Sequence, residues 1–281
     1  MTFGPYKAAA FALPLLAASP AFAQDEEPLE RDDNYSLTVG AGAAYLPSYE
    51  GSDNYIVTPV GIAFGKIAGF SFATRGTTLT IDLVPDSAGS AFEFGLGPAG
   101  NVRLDRSSRI KDPRVRALGK IDEAIEIGGF ASIGKKGILH QYDKLSVGLQ
   151  YLTDMSDTHD SHVLTPRITY ETPLSTRTYL TFSAEADRVG DGYAATYFGI
   201  TPAGALASGL APYGLDGGWK NMRFSLLGAQ ALTGDLRNPA LSMFAGLSYS
   251  RLLGDFKRSP IVADAGDADQ YLVTIGLAYS F

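Results

Sequence analysis

The stretch Gln270-Tyr271-Leu272-Val273-Thr274-Ile275-Gly276-Leu277-Ala278-Tyr279-Ser280-Phe281 carries a large apolar side chain at every odd position from Tyr271 to Phe281. Apart from Leu272, its even positions after Gln270 are small or hydroxylated: Thr274, Gly276, Ala278 and Ser280. A strand sends alternate side chains to opposite faces. One face of this strand therefore suits hydrocarbon, and the other tolerates water. Aromatic residues at both ends of the apolar face match the two interfacial girdles of an outer-membrane barrel strand.

The other end of the chain agrees. Met1 to Lys7 is a short segment with one Lys, Ala8 to Ala18 is apolar, and Ala21-Phe22-Ala23 is a small-x-small cleavage pattern. This reads as a secretory signal peptide over residues 1–23. Gln24 to Asp33 is acidic and reads as a periplasmic lead-in, with the barrel expected over 34–281. Removing residues 1–23 takes away Lys7 and no acid, so 22 basic residues face 30 acidic ones and the formal charge moves from −7 to −8. There is no cysteine, although an exported chain could use disulfides. A closed barrel needs none, because its hydrogen-bond ladder satisfies the backbone in lipid.

From Asn34 onward, two-residue periodicity recurs. The outward faces read Tyr35 to Tyr45; Ile56, Val60, Ile62 and Phe64; Phe70 and Phe72; Leu79, Ile81 and Leu83; Phe92, Phe94 and Leu96; and Ile121, Ile125, Ile127 and Ile133. They continue with Leu145 to Tyr151; Leu164, Ile168 and Tyr170; Leu180, Phe182 and Ala184; Met222, Phe224 and Leu226; Leu241, Met243, Leu247 and Tyr249; and the terminal strand. The expectation is an all-β fold, a closed antiparallel transmembrane β-barrel of about twelve strands, within a range of ten to fourteen. Segment 69–84 could be one bulged strand, and 211–219 could add another. Twelve strands put both termini on one side and make connections 65–69, 85–90, 134–143, 173–177 and 234–239 short periplasmic turns. Connections 46–54, 105–119, 189–221 and 254–269 then become the longer outer loops, as bacterial barrels have them.

Asp82, Glu93, Asp122, Glu126, Glu185 and Asp187 are expected to point inward with Arg103, Arg167 and Arg223. Paired charges bracing a narrow interior are one reading, and an acid-lined pore is the other. Asp157-Thr158-His159-Asp160-Ser161-His162 has ligand types at i, i+3 spacing, but a polar loop tip explains it equally, and no metal or cofactor is assigned. Ser156 and Ser161 lie near these histidines without a catalytic pattern, so no catalytic residue is assigned either. Residues 103–120 concentrate basic side chains. Of these, Arg106, Arg109, Lys111, Arg114 and Arg116 are candidates for lipopolysaccharide phosphate, which guanidinium groups bind through paired N–H donors. An outer-membrane location excludes nucleic acid.

Tyr45-Leu46-Pro47-Ser48-Tyr49-Glu50-Gly51-Ser52-Asp53, following Val39-Gly40-Ala41-Gly42-Ala43, resembles the N-terminal signature of the MipA/OmpV family. Tyr197-Phe198-Gly199-Ile200-Thr201 resembles its central motif. Arg251-Leu252-Leu253-Gly254-Asp255, Ser259-Pro260-Ile261-Val262 and Gln270 resemble its C-terminal motif, and Ile121-Asp122 through Gly128-Gly129-Phe130 also fits. The resemblance implies a non-enzymatic barrel in the outer membrane of a Gram-negative bacterium. It also implies a scaffold role in murein (peptidoglycan) metabolism, with a lytic murein transglycosylase and a murein synthase as partners. Porin-like transport or surface binding, as an adhesin or antigen, is the alternative. All three motif regions fall at outer connections. There Tyr49, Glu50, Gly51, Ser52, Asp53, Gly254, Asp255, Ser259 and Pro260 are candidates for a rim network, with Gly51 and Gly254 as turn residues and Pro47 and Pro260 as strand ends.

Overall fold

Twelve antiparallel strands close into a barrel in which the C-terminal stretch pairs with the first strand. The computed structural model describes residues 35–85, 90–236 and 238–281. The expected signal peptide and acidic lead-in lie outside the described residues. The strands are β1 Ser36–Pro47, β2 Tyr55–Ile67, β3 Phe70–Arg75, β4 Thr78–Asp82, β5 Phe92–Arg103 and β6 Ala124–Lys136. They continue as β7 Lys144–Asp154, β8 His162–Pro173, β9 Thr178–Val189, β10 Gly218–Ala231, β11 Ala240–Leu252 and β12 Asp269–Ser280. Each strand pairs with its sequence neighbours, and Thr38 to Tyr45 of β1 pair with Ser280 to Val273 of β12. No helix among the described residues is long and apolar enough to cross a membrane. The crossing is made by strands.

The ladder fixes which face each residue takes. On β12, Tyr271, Val273, Ile275, Leu277 and Tyr279 are exposed on the outside, whereas Ala278 is buried on the lumen side. Phe92, Phe94, Leu96, Ile125, Ile127, Val147, Leu149 and Phe224 continue the outer apolar surface. The expectation for β2 is overturned. Its register pairs Ile56, Val60, Ile62 and Phe64 with Leu46, Gly42, Gly40 and Thr38, on the lumen face of β1. A Cβ on Gly40 would touch both Ile62 and Ala278, which confirms that these side chains share the interior. Val57, Pro59 and Gly61 face outward instead. Strand 2 is apolar on both faces, so alternation could not assign its orientation; only pairing does.

Segment 69–84 is two short strands joined at Gly76, where φ is +58°. Segment 211–219 adds no strand beyond an isolated bridge between Ile200 and Tyr213. Ile121 and Asp122 precede β6 rather than joining it, and Asp122 is exposed in that loop, so it does not point into the bore. The connections at one end are short turns. At the other end most are long, and they carry α1 Pro113–Ala117, α2 Asp191–Phe198, α3 Pro202–Ser208 and α4 Pro260–Ala263.

A matched pair of substitutions tests the faces. Leu247 is exposed on the outer apolar surface, and Ser248 faces inward and bonds Ser225. Leu247→Arg is expected to cost roughly 2–4 kcal/mol. Ser248→Arg is expected to cost about 1 kcal/mol, the scale of its lost hydrogen bond. Equilibrium unfolding from lipid vesicles measures both, and equal midpoints would contradict the assignment of faces.

Candidate functional site: a loop cap over a buried ion network

Three of the four loop helices begin the same way. Asp112, Thr201 and Ser259 each cap a helix whose first residue is proline: Pro113, Pro202 or Pro260. A capping oxygen accepts an orphan backbone N–H, and proline presets the first helical φ. Pro260 thus starts a helix instead of ending a strand. These compact loops pack over the barrel mouth in two apolar clusters. One joins Tyr193, Tyr197 and Phe198 to Val163, Val189, Leu252, Phe256 and Val262. The second joins Tyr49 to Ile110, Val115, Ile200, Leu210 and Ile261. Each cluster draws on several loops far apart in sequence, so the cap is one packed unit across the mouth.

Beneath it lies a buried ion network. The register of β10 against β9 shifts between Trp219 and Asn221, and this bulge leaves both Lys220 and Asn221 almost fully buried. A bulge redirects a side chain in this way. Lys220 Nζ lies 2.7 Å from Glu50 Oε1 and 3.3 Å from Asp187 Oδ2, and donates to the Tyr193 hydroxyl at 3.1 Å. Tyr193 in turn donates to Glu50 Oε2 at 2.9 Å and accepts from Arg103 at 3.0 Å. Arg103 grips Glu126 with two N–H donors, at 2.8 and 3.1 Å, and His159 Nε2 lies 3.1 Å from the same carboxylate. Burying a charge is costly unless it is paired, and here each carboxylate meets a cation. Burial pushes the Glu50 carboxyl up, but Lys220 and Arg103 more than offset this and hold it below its ordinary value. The same burial pushes the Tyr193 hydroxyl well up, so it stays a neutral donor.

Lower in the bore, Glu185 accepts from Arg167 of β8 and Arg223 of β10, at 2.5 and 2.6 Å. Arg75 of β3 reaches across to the same carboxylate at 3.9 Å. Toward the short turns, Glu93 is paired with Lys136 and Lys144, and Lys144 also meets Glu171. Glu93, Glu171 and Glu185 are thus paired with cations in layers, whereas Asp82 accepts the Val84 and Leu96 backbone N–H groups.

The rim candidates divide. Tyr49 donates to Ala265 O, Gly51 (φ +95°) bonds the Gln270 side chain, and buried Ser52 meets Ser48. Ser259 donates to Phe198 O, and Pro260 is buried beside it. Segments 49–52 and 259–265 therefore meet in the cap. Asp53, bonded to Asn54, is exposed, and Asp255 pairs with Arg258 on the surface. Gly254 supplies a left-handed turn with φ +50°. Arg106 requires a correction: it is 4% exposed and donates to Tyr197 O within the cap, so it is out of reach of lipopolysaccharide. The reason is its partners: its guanidinium finds the Tyr197 and Gly119 carbonyls inside the cap. Arg109, Lys111, Arg114 and Arg116 remain exposed. His159 and His162 diverge, the first to Glu126 and the second stacked on Tyr151. Among the described residues, no group of three or more metal-ligating side chains occurs. Ser156 bonds Asp154, not a histidine.

A closed antiparallel barrel with an outer apolar surface, capped at the long-loop end, defines a transmembrane β-barrel of the outer-membrane type. The chain matches the family model described as MltA-interacting protein MipA over residues 39–281 and belongs to that family. No curated protein matches it. Among solved structures it is similar to a Pseudomonas aeruginosa FadL homologue at 9% identity, over 88% of this chain and 89% of that one, with a TM-score of 0.37. It is also similar to the outer-membrane OmpT of Vibrio cholerae, at 8% identity over 89% and 99% of the two chains, TM-score 0.34. The outer membrane channel DcaP of Acinetobacter baumannii follows, at 11% identity over 88% and 96%, TM-score 0.30. At such scores none of the three carries an argument about this chain.

Asp105 gives the cap a pH dependence. Burial, with the neighbouring Glu50 charge, pushes its carboxyl from 3.8 up to about 6, although it accepts the Glu50 backbone N–H at 2.7 Å. Between these two values the folded state holds more protons than the unfolded one, so this contribution to stability is full below the window and is lost as pH rises through it. Asp105→Asn should remove that slope and strengthen the cap at pH 7.5 by at most roughly 3 kcal/mol. Hydrogen exchange of the cap amides at pH 5 and 7.5 measures both effects. An unchanged slope in the variant would assign the pH dependence to other groups.

Proposed function

We propose that this protein is a non-conducting, non-enzymatic interaction barrel of the Gram-negative outer membrane. Its short-turn rim faces the periplasm and engages murein enzymes there. The observation that carries this reading is the cap. Tyr193, Tyr197 and Phe198 are fully buried where the long loops converge, and Glu50, Lys220 and Arg103 tie three walls of the barrel together beneath them. Such a packed, charge-neutralised closure suits a rigid platform better than a diffusion pore. Family membership supports murein enzymes as partners, specifically a lytic murein transglycosylase and a murein synthase. The acidic lead-in 24–33, with Asp25, Glu26, Glu27, Glu30, Asp32 and Asp33 against Arg31, suits a basic patch on such a partner, and salt would weaken that contact.

On the opposite rim, Arg109, Lys111, Arg114 and Arg116 are the side chains suited to lipopolysaccharide phosphate.

Two measurements on one preparation test this reading. Planar-bilayer recording is expected to show no steady conductance. Pull-down with the purified transglycosylase is expected to retain the enzyme, less so without residues 24–33 or at raised salt. Steady conductance with no enzyme retained would replace the scaffold by a porin-like transport barrel.

A further inference from the structure

The barrel wall is uneven. β2 pairs with β1 from Lys66 to Tyr55, nearly its whole length. With β3 it pairs only over Phe64–Ile67. The β3–β4 hairpin turns back at Gly76, and β4 is in register with β5 from Thr78 to Thr80, with further backbone bonds from Val102 N to Thr77 O and from Leu83 N to Leu96 O. Above that turn, among the described residues, no strand pairs with β2 between Tyr55 and Ala63 on the side away from β1. The hairpin ends there and β5 runs only to Arg103, so among the described residues the upper part of β2 has no strand neighbour on that side. Val57 on β2, Val102 near the end of β5 and Leu104 just beyond it are exposed apolar residues beside this edge, which places the opening at the outer apolar surface.

A free strand edge in hydrocarbon is costly. This one is dressed by replaceable groups. Pro59 has no N–H to leave unpaired. Arg109 donates to Val57 O at 3.0 Å, Lys111 donates to Tyr55 O at 2.7 Å, and Ala63 N donates to the Thr74 hydroxyl at 2.8 Å. Side chains, not a strand, cover the edge. Directly behind the opening lies the apolar lumen face of β2, with Val60, Ile62 and Phe64. At the hairpin tip on its lower sill sits Arg75, whose side chain is 54% exposed. Arg75 is the third and loosest guanidinium on Glu185, which Arg167 and Arg223 already hold in much shorter contacts. Arg223 also lies 4.0 Å from Asp187, which leaves Arg75 and Arg167 on Glu185, and a further anion would complete the pairing of Arg75.

We propose that this gap is a lateral window through which a single-chain anionic amphiphile passes from the bilayer into the barrel. Its acyl chain lies along Val60, Ile62 and Phe64, and its carboxylate or phosphate is held by Arg75. The cap closes the axial route, so the window gives the lower bore access from the membrane. The inference does not depend on a murein partner.

Electron spin resonance of the full-length barrel tests it. The probes are doxyl-stearate, a spin-labelled lysophosphatidate and the neutral methyl ester of doxyl-stearate. A saturable immobilised component is expected for the anions, and the better-held anion identifies the head group. The ester should bind about tenfold more weakly, the scale of one charge-assisted hydrogen bond. Arg75→Gln should weaken anion binding by a similar factor, and Arg75→Lys should retain most of it. Equal binding of ester and acid by the native chain would overturn the proposal, with no variant needing to fold. The native chain has no cysteine, so Gly61→Cys and Val102→Cys can be bridged by a bis-maleimide. Bridging should slow probe exchange from the bilayer, and an unchanged rate would overturn the window.

Discussion

Everything in this molecule depends on one requirement: a backbone crossing hydrocarbon must find its hydrogen-bond partners within the protein. Closure of β1 on β12 meets it around the ring. Closure also fixes the pleat, so each residue is committed to membrane or bore by its register. The even strand number brings the start of β1 and the end of β12 to the short-turn side, which leaves the long loops together at the other end. The cap is thus a consequence of topology before it is one of packing. Where the ladder fails, between β2 and β5, the same requirement reappears, and side chains from the basic loop and Thr74 answer it.

The interior is organised by charge neutralisation. Each layer pairs carboxylates from some strands with cations from others: Glu93 and Glu171 with lysines, Glu185 with arginines, and Glu50, Asp187 and Glu126 with Lys220 and Arg103. Breaking a buried pair strands a charge, at a cost of about 3–5 kcal/mol. Most of these pairs join neighbouring strands, whereas Glu50 with Lys220 and Arg75 with Glu185 link parts of the wall that are not neighbours. Tyr193 links the layers to the cap, because its hydroxyl meets Glu50, Lys220 and Arg103 while its ring packs in the apolar cluster. Tyr193 thus joins cap and bore.

The motif regions of the family gather in this object. Segments 49–52, 197–201 and 259–262 share the two apolar clusters and the bonds around them. Their residues brace the cap from within. Any surface that engages a murein enzyme on the periplasmic side is built from other parts of the chain, at the short turns.

By itself the sequence determined the fold class and the division into short turns and long loops, and it put the strand number at about twelve within a range of ten to fourteen. Alternation along strands such as β12 is a local property that survives without knowing the partner strand. The capped helix starts at Asp112-Pro113, Thr201-Pro202 and Ser259-Pro260 are equally local signals, although a proline next to a strand also reads as its end, as at Pro260. Tertiary structure alone decided what was not local. The face of β2 came from its register with β1, because a strand apolar on both sides carries no signal of its own. The burial of Lys220 came from a bulge, and that of Arg106 from the Tyr197 carbonyl that a distant loop brings to it. The meeting of Arg75 with Glu185 came from the curvature that brings β3 opposite β9. These contacts join residues far apart in sequence across a closed surface, and only the closure of the barrel sets the distances between them.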